Sequence, residues 1–202
     1  VPTFTSLLAR LAPGERATHA VDEALLRDAQ AEGHAHPAIV ARVQAAVVEL
    51  AAQGARVVVC TCSTLGGAAE ATPTGGRFTA TRIDRAMADR AVELGPDVLV
   101  VAALQSTLAP TAALVRDSAR RLGRPIHLRE HLADGAWAYF EAGRQAAYLQ
   151  AVAASVRAAA GGAGVVVLAQ ASMAGAAEHL LDLGKPVLSS PELGMRAALA
   201  RA

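Results

Sequence analysis

Cys62-Ser63-Thr64 is the group of neighbouring side chains best suited to chemistry in this sequence. It stands where a valine-rich run ends and an Ala/Gly-rich run begins. A thiolate is a nucleophile and a base, and backbone N–H groups at a helix start favour that form. The hydroxyls of Ser63 and Thr64 add donors and acceptors beside it. The group suits holding a carboxylate while a thiolate takes a nearby proton. A second reading is a buried cysteine beside a capping Ser/Thr pair, because free cysteine often behaves as a small hydrophobe. Cys60, two residues earlier, falls inside the valine-rich run and reads as packing. On a strand the two thiols point the same way, and such close neighbours rarely form a structural disulfide. A reduced, cytoplasmic compartment fits this usage.

The elements that would position this group follow an α/β rhythm. Short runs rich in Val, Ile and Leu predict strands over 56–61, 97–103, 125–128, 164–169 and 186–189. Their near-continuous hydrophobicity is that of strands buried on both faces of a parallel sheet. Longer Ala/Leu/Arg runs predict helices over 22–32, 37–53, 82–94, 111–122, 143–160 and 174–183. Several end at glycine (Gly33, Gly54, Gly95, Gly123 and Gly184), a favoured residue just past a helix. Strand, helix, glycine, strand is the pattern of an α/β fold.

The chain also repeats itself. ARVVVCTCSTLGGAAE at 55–70 matches AGVVVLAQASMAGAAE at 163–178 in eight of sixteen positions, at an offset of 108 residues. Gln170 is the repeat partner of Cys62, and Ser172 that of Thr64. Two halves sharing a strand–turn–helix unit predict two pseudo-symmetric, Rossmann-like lobes with parallel sheets. Ligands in such sheets sit beyond the carboxyl ends of the strands. The two turns can then face one active-site cleft between the lobes. Ser106 and Thr107, after the run DVLVVAAL, are expected to join it, and Thr3 and Thr5 are further candidates. For each of these hydroxyls, capping a helix is the competing role. A weaker echo relates VPTFTSLL at 1–8 to STLAPTAAL at 106–114, which predicts a strand before Val1 that is missing here. The first lobe is expected over 1–95, with a terminal helix at 190–202 returning to it, and the second over 96–189.

Other features argue for less. His34 and His36 read as a polar loop before Pro37, without further ligands nearby. His127 falls in a predicted strand, so it shares no helical metal face with His131. His179 reads as a surface residue, and Glu70 and Glu178 as solvated. Trp137 and Tyr139 read as core packing, and the loop Ala71–Arg77 as a connector. With 3% aromatic residues, a formal charge of +1 and no basic run, nucleic-acid binding is not expected. No 18-residue apolar run lacks charges, which argues against a membrane span, and no secretory signal opens the sequence. Hydrophobic residues make up 53%, enough for a sizeable core.

Taken together, three segments resemble the aspartate/glutamate/hydantoin racemase superfamily. Cys62-Ser63-Thr64 after its valine-rich strand is similar to the first thiol motif of that superfamily. VVVLAQASMAGAAEHL with GKPVLSSPELG resembles the second thiol region, and RIDRAMADRAVELGPDVLVVAALQSTLAPT the central segment. The resemblance implies two α/β lobes with the active site between them. It implies chemistry without metal or organic cofactor on a small carboxylate-containing substrate, in a homo-oligomer. Racemases of this kind use two cysteines flanking a carbon next to a carboxylate. Cys62 matches the first cysteine, and Gln170 stands at the second. An amide cannot act as a thiol acid or base; it can only donate and accept hydrogen bonds. Cys62 would then be the single thiol, as in the superfamily's one-thiol decarboxylases. Gln170, Ser63, Thr64, Ser106, Thr107 and Ser172 would bind and orient substrate. A small-acid binding protein on the same scaffold is a further alternative.

Overall fold

The computed structural model describes residues 2–202. Its elements in chain order are α1 (Pro2–Leu11), α2 (Glu23–Glu32), α3 (Pro37–Ala52), β1 (Val57–Cys60), α4 (Gly66–Glu70), β2 (Thr79–Arg82), α5 (Arg85–Leu94), β3 (Asp97–Ala102), α6 (Gln105–Leu122), β4 (His127–Leu132), α7 (Ala136–Glu141), α8 (Gln145–Ala159), β5 (Val165–Leu168), a run of 3₁₀ turns (Ala171–Leu183), β6 (Val187–Ser189) and α9 (Ser190–Leu199). The chain is α/β with parallel sheets, and it divides into two compact units.

The first unit comprises Val1–Ile83 and Pro191–Ala202. Strands β1 and β2 pair in parallel, with Cys60 opposite Arg82. Ile39, Val43 and Val47 recur every four residues along α3 and are buried with Leu25, Val58, Leu65 and Ala69. That spacing makes one apolar stripe on the helix. The Asp22 carboxylate accepts the Leu25 N–H at 2.9 Å and caps α2. Helix α9 comes so close to the strand region that a Cβ on Gly194 would lie 1.9 Å from the Ile83 carbonyl oxygen.

The second unit is Asp84–Ser190. Its sheet has the order β4-β3-β5-β6, all parallel. Strand β5 is buried throughout, and β3 is buried after Asp97. Leu99, Val101, Tyr148, Val152, Val156, Leu168, Met173 and Leu180 belong to one core. The reading from sequence puts α5 with the first half; in the structure it packs on α6 and β5, so the boundary falls at 83/84 rather than near residue 95.

Several elements differ from the sequence expectation for identifiable reasons. Strand β2 reads Thr-Ala-Thr-Arg and lacks the continuous apolar run of β1, β3 and β5. Strand β4 runs on to Leu132 through Arg129, Glu130 and His131, because it is an edge strand. Helix α6 begins at Gln105, six residues before the expected start, and carries Pro110 inside it. The helix runs through Pro110 although that residue has no N–H to bond back along it. Residues 171–183 form tighter 3₁₀ turns, with the Met173 N–H bonded to the Gln170 carbonyl at 3.0 Å. The echo segments at 3–8 and 106–114 are both helical, in α1 and α6. The strand expected before Val1 lies outside the described residues.

Candidate active-site residues

Strand β1 ends at Cys60, and the chain then turns through Ser63–Leu65 before α4. Cys62 therefore lies beyond the strand, half-buried, four residues before α4. This corrects the expectation of a thiol at a helix start: α4 is five residues long and begins at Gly66. Ser63 and Thr64 are buried in the turn. Neither cysteine is in a disulfide, and the Cys60 thiol donates to the Cys62 carbonyl at 3.5 Å.

Arg82 is a residue the sequence reading missed, because it placed position 82 at the start of a helix. It ends β2, is 6% exposed, and donates from Nη2 to the Ser63 carbonyl at 3.0 Å. The available signal was the alternation Phe-Thr-Ala-Thr at 78–81 just before Arg82, which is strand-like.

Gln170 follows β5 with an extended backbone and is buried. Its side-chain oxygen accepts the Ala103 N–H at 2.6 Å and the Leu104 N–H at 3.2 Å, just past the end of β3. These two donors identify the amide's ends, since the flipped amide would set N–H against N–H. The NH₂ end has no hydrogen-bond partner among the described residues. Gln170 thus presents donors only.

Ser172 shares a hydrogen bond with the Tyr148 hydroxyl at 2.9 Å. Burial raises the Tyr148 pKa above its ordinary value, and the bond to Ser172 opposes that rise. Ser106 and Thr107 do not end a strand. They lie in the first turn of α6, with Thr107 buried. Thr3 and Thr5 are exposed on α1, and Thr5 pairs with His19 at 3.2 Å. The histidines are dispersed: His36 lies beside Glu32, His127 beside Asp97, and His131 bonds Ser155 at 2.8 Å. No group of three or more His, Cys, Asp or Glu side chains among the described residues could hold a metal ion. Among the described residues no helix is long and apolar enough to cross a membrane.

Among solved structures, the chain is similar to a glutamate racemase isoform from Bacillus anthracis: TM-score 0.67, 17% identity, 98% of this chain and 76% of that one. An aspartate racemase from Picrophilus torridus matches with TM-score 0.65 at 12% identity, over 99% and 90%. The chain has the fold of these racemases. Arylmalonate decarboxylase shares it at TM-score 0.54 and 18% identity, over 83% of this chain and 76% of that one. No protein-family model matches the chain, and no curated protein matches it by sequence. At these identities the racemase-like arrangement of strands and helices is common ground, and the residues differ.

Proposed function

We propose that the chain is a member of the aspartate/glutamate/hydantoin racemase superfamily and a cofactor-independent isomerase acting at a carbon adjacent to a carboxylate. Cys62 is its single thiol acid/base. The observation that carries this reading is the asymmetry of the repeat: a half-buried thiol at one strand end, an amide held as a pure donor at the other. The Cys62 thiolate takes the proton next to the carboxylate, and the electron pair moves into the carboxyl group to give an enediolate. The hydroxyls of Ser63 and Thr64 beside Cys62 supply donors for that charge. Gln170, at the repeat position of Cys62, cannot return a proton, so the returning proton comes from water.

The same asymmetry favours a second reading, a one-thiol decarboxylase of malonate-like acids. There the bond to one carboxylate breaks and carbon dioxide leaves. The enediolate takes its proton from the Cys62 thiol, and water restores it.

The test is deuterium incorporation from D₂O, followed by NMR, across amino acids, hydantoins, dicarboxylates and malonates. Incorporation next to the carboxyl, lost in Cys62→Ser, supports the thiol role. Carbon dioxide release with one deuterium incorporated selects the decarboxylase. Binding of an acid without incorporation, equally tight in Cys62→Ser, rejects both enzymes and leaves a binding protein.

A further inference from the structure

Burying a guanidinium is costly unless its N–H groups find acceptors, and arginine does not discharge to escape that cost. Arg82 is the residue where the first unit accepts this burial. Three local features hold it. The β1–β2 ladder continues past it, with the Ile83 N–H bonded to the Cys60 carbonyl at 3.0 Å. Nη2 reaches over to the Ser63 carbonyl at 3.0 Å, inside the Cys62–Thr64 turn. Room for the side chain comes from Gly66, where a Cβ would stand 2.9 Å from both Cβ and Nε of Arg82. Gly67 lies against the same guanidinium, its Cβ position 3.6 Å from Nη1. Glycine in the first turn of a short helix is unfavourable by itself, so Gly66 is explained by the arginine it admits.

The second unit lacks this arrangement. Leu168 is the repeat partner of Cys60, and its ladder partner is Ser189, where the first unit has Arg82. The repeat partner of Gly66 is Ala174. At the repeat counterpart of the thiol-bearing turn, neither the cation nor the glycine that admits it is present.

We propose that Arg82 is a positioning residue for Cys62: its hold on the Ser63 carbonyl sets the turn in which Cys62, Ser63 and Thr64 stand. The inference rests on the role given to Cys62 above. It is tested with Arg82→Ala, Arg82→Lys and Gly66→Ala beside the native protein, in two measurements. One is kcat and KM for deuterium incorporation. The other is backbone amide exchange of residues 60–67 by mass spectrometry, which needs no substrate. Arg82→Ala and Gly66→Ala are expected to lower kcat about tenfold or more with KM held within about twofold. Amide exchange over 60–67 should rise about fivefold or more, with β3 and β5 unchanged. Added ethylguanidinium should recover part of both losses in Arg82→Ala. Lysine should not, because its ammonium lacks the planar fork. Native kcat and native amide exchange in Arg82→Ala overturn the proposal, and so does full activity in Arg82→Lys. Should Arg82→Ala not fold, Gly66→Ala decides by the same two readouts. If the native protein incorporates no deuterium, the role of Cys62 falls. Amide exchange alone then decides whether Arg82 holds the turn.

Discussion

At the scale of single residues, Gln170 carries the most information. Its oxygen terminates two backbone N–H groups past β3, so removing the amide leaves both without an acceptor. Gln170→Leu should cost about 1–3 kcal/mol in urea denaturation. Gln170→Glu keeps an oxygen for those N–H groups but replaces the free donors with a charged acceptor. Affinity for small carboxylates, measured by calorimetry, should fall about tenfold or more. Equal affinity in the glutamate variant would remove Gln170 from the ligand site. Tyr148 offers a simpler test, because its ring is fully buried and only its hydroxyl reaches Ser172. Tyr148→Phe should cost about 1 kcal/mol in the same denaturation experiment.

At the scale of elements, the close approach of α9 to Ile83 is the sharpest constraint. A methyl group at position 194 would collide with a backbone oxygen, which cannot rotate aside as a side-chain tip can. Gly194→Ala should therefore cost about 3 kcal/mol, read from the shift of the denaturation midpoint at constant slope. A cost below about 0.5 kcal/mol, the range of an ordinary surface change, would mean that α9 can slide away from Ile83. Helix α6 teaches a related lesson about proline. Pro110 lacks the N–H that would bond back along the helix, yet the helix runs unbroken from Gln105 to Leu122. Its buried residues, among them Thr107, Leu108, Thr111, Leu114 and Val115, hold the helix across that gap by packing.

At the scale of the whole molecule, carboxylates in both units are held below the usual carboxylate range. Arg85, through its hydrogen bond, does this to Asp117; Arg10 and then Arg196 do it to Glu192. The Leu25 N–H lowers Asp22, and Arg157 lowers Asp182. A carboxylate whose folded pKa lies below its unfolded one stabilises the fold above the unfolded value of about 4. That contribution is lost as pH falls through the lower, folded value. Because these carboxylates are exposed, solvent screening keeps each effect small. The urea midpoint should stay level from pH 7 to about 5 and decline below about 4. High salt should shrink the decline. A midpoint that rises on acidification would contradict this assignment.

The period of apolar residues determined much of this architecture before any packing is considered. Short, β-branched valine runs bounded by turn residues favour buried strands, and the i, i+4 spacing of Ile39, Val43 and Val47 makes a helix face. The repeat likewise paired Cys62 with Gln170 by alignment alone. Strand β2 and the continuation of β4 from Arg129 to Leu132 escaped that reading, because a strand at a sheet edge needs no apolar run. The start of α6 escaped it because a proline's local penalty was outweighed by contacts distant in sequence. Three features exist only in the tertiary structure: the orientation of the Gln170 amide, the engagement of Ser172 by Tyr148, and the burial of Arg82 against Ser63. Each joins residues 19 to 67 positions apart. Local propensity carries no information about such pairs, and they form only when packed elements bring a donor and an acceptor into register.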